Sequence, residues 1–141
     1  MSSPITGDRR FILTQVSLVT LIFPAHLVAE TLLVERSRVL NLPFYKTAIA
    51  GCFHAGGKIV PLVSPAQLLE IQPNLVGEVL TVVCLGESAA HLAGVGILVD
   101  RLVGSQMGLP PSQSADREMK LFDLDAIEKD VFQPQRWLSK E

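Results

Sequence analysis

Two adjacent glycines constrain this chain more than any other feature. They sit inside Gly51-Cys52-Phe53-His54-Ala55-Gly56-Gly57-Lys58-Ile59-Val60-Pro61-Leu62-Val63-Ser64. Glycine enters positive φ without steric penalty, so Gly56-Gly57 predicts a tight turn between two strands. Residues 58–63 read as the outgoing strand. Pro61 marks an edge or a bulge there, because it donates nothing to a ladder.

A length of 141 residues suits one compact domain, or two small lobes sharing a core. Apolar residues make up 48% of the chain, aromatics only 6%, and mean hydropathy is +0.37. Aliphatic side chains therefore carry the apolar content, a mix suited to strands buried in a barrel or sandwich. A net charge of −2 leaves no electrostatic footprint for nucleic acid or an anionic membrane. Cys52 and Cys84 lie in apolar contexts and read as two buried, reduced thiols of a cytoplasmic protein, not as a disulfide framework.

Arg9 and Arg10 precede nineteen uncharged residues, 11–29, which raises a signal peptide or membrane span as an alternative. Thr14, Gln15, Ser17, Thr20, Pro24 and His26 punctuate that run, and no small-x-small cleavage site follows. A soluble reading is preferred, with no direct membrane insertion.

Residues 1–10 read as a flexible lead-in. Residues 11–23 are rich in β formers and read as one long strand. Pro24-Ala25 then turns the chain into a second strand at 26–29, giving a hairpin. Residues 30–42 are ambiguous, because Leu32, Leu33, Arg36, Val39 and Leu40 fit a helical stripe while the segment also holds β formers; Pro43 ends it. Ser64-Pro65-Ala66-Gln67 places an N-cap, a first-turn proline and a capping-box glutamine, predicting a short helix that ends near Pro73.

Residues 78–85 read as a strand, Gly86-Glu87-Ser88 as its turn, and 92–99 as the return strand, with Gly94 and Gly96 marking a bulge or a close approach. Leu102-Val103 begins a further short strand, residues 104–117 read as a linker, and 118–129 as a strand followed by a short terminal helix. Trp137 is expected to pin the tail. The order of hairpins implies two small β lobes.

The chemistry-bearing patterns are thin. Gly56-Gly57-Lys58 lacks the first glycine and the hydroxyl residue of a phosphate loop, since Cys52 and Ile59 stand there. Gly94-Val95-Gly96 lacks the third glycine of a dinucleotide fingerprint. His26, His54 and His91 with Cys52 and Cys84 offer only one close pair, so no metal is assigned. Asp100 next to Arg101 reads as a solvated pair at a strand end. No residue is assigned a catalytic role, and no cofactor is expected.

Gly51-x-x-His54-x-x-Gly57-x-Ile59-Val60-Pro61-Leu62-Val63 resembles the Gly-Val-x-Asn-Leu-Arg-Gly-x-Ile-x-Pro-Val-x-Asp stretch of the CheW-like adaptor family. Gly94-Val95-Gly96-Ile97-Leu98-Val99-Asp100-Arg101-Leu102-Val103-Gly104 resembles its second signature, and Leu121-Phe122-Asp123-Leu124-Asp125-Ala126-Ile127 its closing segment. Leu33-Val34-Glu35-Arg36-Ser37, Val39-Leu40, Leu42-Pro43-Phe44-Tyr45 and Pro134-Gln135-Arg136-Trp137 are similar to cyanobacterial members tied to phototaxis and type IV pilus motility.

This resemblance implies a mainly β fold of two intertwined five-stranded β-barrels, with the adaptor domain over 11–130 and a tail over 131–141. It also implies a non-catalytic scaffold in the cytoplasm at receptor arrays, joining a methyl-accepting receptor to a CheA-type histidine kinase. Gly51, Gly57, Pro61, Gly96 and Asp100 match the family's positions and are expected to be structural. The family's Asn-Leu-Arg is His54, Ala55 and Gly56 here, and a glycine offers no guanidinium fork. His54 and Lys58 are the candidates for a modified partner contact. A small β-barrel ligand-binding or enzyme domain, or a membrane-associated partner protein, are the alternatives.

Overall fold

The computed structural model describes residues 9–41, 49–65, 77–108 and 118–127. They form nine strands in two sheets, joined by 3-10 turns, with no α-helix among the described residues. The expected helix after Ser64, Trp137, the tail and residues 1–8 of the expected lead-in over 1–10 lie outside the described residues, and Arg10 already belongs to a strand.

The first sheet has the order β8-β1-β2-β9. Here β1 is Arg10–Val16, β2 is Val19–Pro24, β8 is Arg101–Met107 and β9 is Glu118–Leu121. The run 11–23 is therefore not one strand. It folds back at Ser17-Leu18, and β1 and β2 pair antiparallel from Phe11↔Pro24 to Val16↔Val19. The turn carries neither glycine nor proline, so Ser17 itself takes the left-handed conformation, at φ 57. Pro24 makes no hairpin. It leads into the 3-10 turn Ala25–Leu27, which carries the chain to the other sheet. The alternative of a membrane-spanning helix over 11–29 is overturned with it, since these residues are strands and a 3-10 turn. No helix among the described residues is long and apolar enough to cross a membrane.

The second sheet has the order β3-β6-β7-β5-β4. Its strands are β3 (Val28–Glu35), β4 (Ile49–Ala55), β5 (Lys58–Val63), β6 (Val79–Leu85) and β7 (Gly96–Val99). The ambiguous segment 30–42 resolves as β3 up to Glu35, a 3-10 turn at Arg36–Arg38, and a bridge from Leu40 to Cys52 on β4. β3 and β4 are the two edges of this sheet, and the bridge draws them together. The sheet thus curls into a half-barrel.

Alternation sorts the side chains of the curled sheet into two cores. Its concave face holds Val34, Phe53, Leu62, Leu80, Val82 and Leu98. Its other face sends Val63, Val83, Ile97 and Val99 against Val16, Leu21 and Phe23 of the first sheet. Phe122 closes that larger core, its ring stacked on Phe23 with centroids 4.8 Å apart. His91 Nε2 donates to the Ile127 carbonyl at 2.7 Å and fastens the end of the described chain to the Glu87–Leu92 turn.

Three further expectations shift. The return strand begins only at Gly96, because 3-10 turns fill the connection from Glu87 to Leu92. Residues 104–107 are strand and not linker, since β8 pairs along β1 from Arg101↔Gln15 to Met107↔Arg10, with one bulge. Asp100, expected as a solvated residue at a strand end, is half-buried, and its Oδ2 accepts from the Ser17 N–H at 2.7 Å.

Candidate partner-binding surface

The Gly56-Gly57 turn joins β4 to β5 as expected, with φ of 57 and 79. Two successive positive φ values give the type I′ geometry that matches strand twist. Nothing lies within 4 Å of a Cβ built on either glycine, so the tip projects into open space. Gly51 differs. At φ 150 its Cβ would stand 2.6 Å from the Leu40 carbonyl oxygen and 2.8 Å from Val39 Cγ1, so the bridge to β4 needs a bare backbone there. Gly96 is a close approach of the same kind, its Cβ meeting Val82 Cγ1 at 2.5 Å and Leu62 Cδ2 at 3.0 Å.

Pro61 sits where its missing N–H does no harm. Cys52, its partner in register, turns both N–H and C=O away from β5 toward Leu40. Pro61 therefore faces outward as well, and β7 pairs with β5 only from Leu62 onward. The expected edge at Pro61 is not found, since β5 lies between β7 and β4; the proline is tolerated because its position needs no N–H toward β4.

His54 and Lys58 are both exposed, and the sheet does not bring them together. His54 pairs with Ile59, and Lys58 with Ala55, so alternation sends them to opposite faces of the hairpin. Lys58 lies toward the concave face with Val60 and Leu62. His54 lies on the other, and its carbonyl accepts from Arg38 Nη2 at 3.3 Å.

Sequence reading passed over the apolar residues that flank the sheet-to-sheet contact. Leu33 is 75% exposed on β3, and Ile59 is 68% exposed beside His54. Both lie on the face whose centre is buried against the first sheet. Strand alternation through Leu32-Leu33-Val34 would have shown Leu33 facing out. The helical reading of that stretch hid it.

At the mouth of the half-barrel lies a groove of about 420 Å³, lined by β3, the β4–β5 hairpin, the end of β6 and the turn before β7. The Cys84 thiol lines it, and burial pushes its pKa up to about 11, with the Glu30 carboxylate adding to the rise. Such a thiol is protonated at neutral pH and makes a poor nucleophile. No cluster of three or more metal-ligating side chains occurs among the described residues.

No protein-family model matches the chain, and no curated protein matches it. Among solved structures the chain is similar to the crystal structure of the scaffolding protein TtCheW from Thermoanaerobacter tengcongensis. The TM-score is 0.65 at 13% sequence identity, over 86% of this chain and 87% of that one. The fold is CheW-like. This agrees with the expected mainly β architecture. The Gly56-Gly57 tip, Leu33 and Ile59 are among the parts of this frame that face solvent, together with Leu18 and Leu40.

Proposed function

We propose that this protein is a non-catalytic, cytoplasmic CheW-like adaptor that couples a methyl-accepting receptor to a CheA-type histidine kinase, through a domain spanning residues 11–130. The observation that carries this is the likeness of fold to a scaffolding protein over most of both chains. Gly51, Gly57, Pro61, Gly96 and Asp100 act as scaffold positions in this reading. His54 and Lys58 contact partners from opposite faces of one hairpin, with the exposed Leu33 and Ile59 supplying apolar area. The motif similarity around residues 33–45 and 134–137 supports the finer reading of a phototaxis or type IV pilus pathway.

Co-purification of the full chain with a CheA-type kinase encoded beside it tests the reading. Binding that is lost in Leu33→Asp or Ile59→Asp, with folding retained, is the expected result. Failure to bind any such kinase would overturn it.

A further inference from the structure

The mouth of the half-barrel presents opposite charges above an apolar cup. Strand β3 runs inward from it with Glu30, Leu32 and Val34 on the concave face, exposed, half-buried and buried in that order. Strand β5 runs inward in the same sense with Lys58, Val60 and Leu62, and their exposure falls in the same way. Alternation keeps each set on one face, so an acid stands over an aliphatic side chain on one wall and a base over one on the other. Cys84, opposite Glu30 on β6, and the turn before β7 close the remaining side.

The space between these walls is about 420 Å³, within the range of small-molecule sites. Its charged lining is Glu30, Lys58 and Glu87. None of the three forms an ion pair among the described residues. An acid and a base that face one cavity without pairing each lack a counter-charge there, and a ligand bearing both signs supplies both. The floor beneath them fits a branched aliphatic group.

We propose that this cup binds a free aliphatic α-amino acid of the leucine type. Its ammonium meets Glu30, its carboxylate meets Lys58, and its side chain lies against Leu32 and Val60. Glu87 leaves the mouth with one carboxylate in excess, which favours the ammonium end. Contacts to exposed charges are individually weak, so the dissociation constant is on the order of 1 mM.

The test is an NMR titration of the isotope-labelled full chain with L-leucine, L-alanine and N-acetyl-leucinamide. Alanine carries both charges without the tail. N-acetyl-leucinamide carries the tail without the charges, as a leucine within a partner chain does. The expected result is saturable movement of the Glu30, Leu32, Val60 and Gly94 amide resonances with leucine, and binding of the other two at least about fivefold weaker. E30Q and K58Q, both at exposed positions, should each weaken leucine about two- to fivefold and leave N-acetyl-leucinamide unchanged. Absence of shifts at the mouth, alanine binding as tightly as leucine, or leucine binding that survives both substitutions would each overturn the proposal. Equal binding of N-acetyl-leucinamide would assign the cup to a partner's side chain and overturn it as well. Leucine binding is read on the isolated chain and kinase binding by co-purification, so this site and the adaptor reading fail separately.

Discussion

The Asp100 carboxylate holds the Ser17 N–H at 2.7 Å across 83 residues of sequence. The backbone repeats the tie, because the Asp100 N–H donates to the Gln15 carbonyl at 2.8 Å. A turn that lacks glycine is thus kept in a left-handed conformation by a side chain from the corner between β7 and β8. Asp100→Ala should destabilise the fold by about 1.5–3 kcal/mol, the range for a lost hydrogen bond to a charged group. Asp100→Asn keeps an acceptor oxygen and should lose less than half as much. Urea unfolding of the two variants checks this, and equal losses would remove the carboxylate from the account of the turn.

The glycines should separate by their surroundings. Gly51→Ala must displace a backbone carbonyl, at a φ that side chains rarely adopt, and is expected to prevent folding or to cost about 3 kcal/mol or more. Gly96→Ala pushes only on the side chains of Val82 and Leu62 and should cost about 1–3 kcal/mol. Gly57→Ala meets nothing and should cost about 1 kcal/mol for its φ alone. Denaturant midpoints would rank the three, and an intact Gly51→Ala would show that the bridge from Leu40 to Cys52 can shift.

Gly56→Arg tests the hairpin tip directly. The position is open, so the substitution should fold with a loss of about 1 kcal/mol for a side chain at φ 57. If this tip is where the chain departs from conventional adaptors, the arginine variant should gain binding to a conventional methyl-accepting receptor in a membrane sedimentation assay. An unchanged sediment would place the departure elsewhere.

Cys84 predicts an alkaline effect. The folded chain holds this proton more tightly than the unfolded one, about 11 against 9.0. Its contribution is therefore whole below pH 9 and is lost as the pH rises toward 11, falling by on the order of 2 kcal/mol. Unfolding free energies of the wild type and Cys84→Ala should converge over that window. Glu30→Gln should lower the Cys84 pKa by the smaller of its two causes, which a thiol alkylation profile would read. An alkylation midpoint near 9 in the folded wild type would refute the burial argument.

The β4–β5 hairpin was legible because its turn rests on two glycines and its strands on β-branched residues, both local signals. The β1–β2 turn was not, because what bends the chain at Ser17 is a carboxylate 83 residues away. β8 was read as linker beyond Val103 because Gly104, Ser105 and Gln106 have no strand propensity. They pair because β1 offers its edge, and the strand stays largely solvent-facing. The stretch from Leu32 to Leu40 looked helical because its apolar residues serve two purposes, some filling the half-barrel and others facing out. Of the candidate site, the hairpin tip could be read from sequence. The groove could not, since it is assembled from four separate segments.

The strand order of the first sheet sets a schedule for synthesis. Arg10 pairs with Met107 and Val19 with Glu118, so both flanks of the β1–β2 hairpin are supplied by residues 101–121. A ribosome releasing this chain from its start delivers an apolar hairpin whose two sides stay bare until those residues emerge. During that interval the nascent chain should depend on holdase protection, and a chain stopped before Arg101 should be sticky in proportion to how well its hairpin has formed.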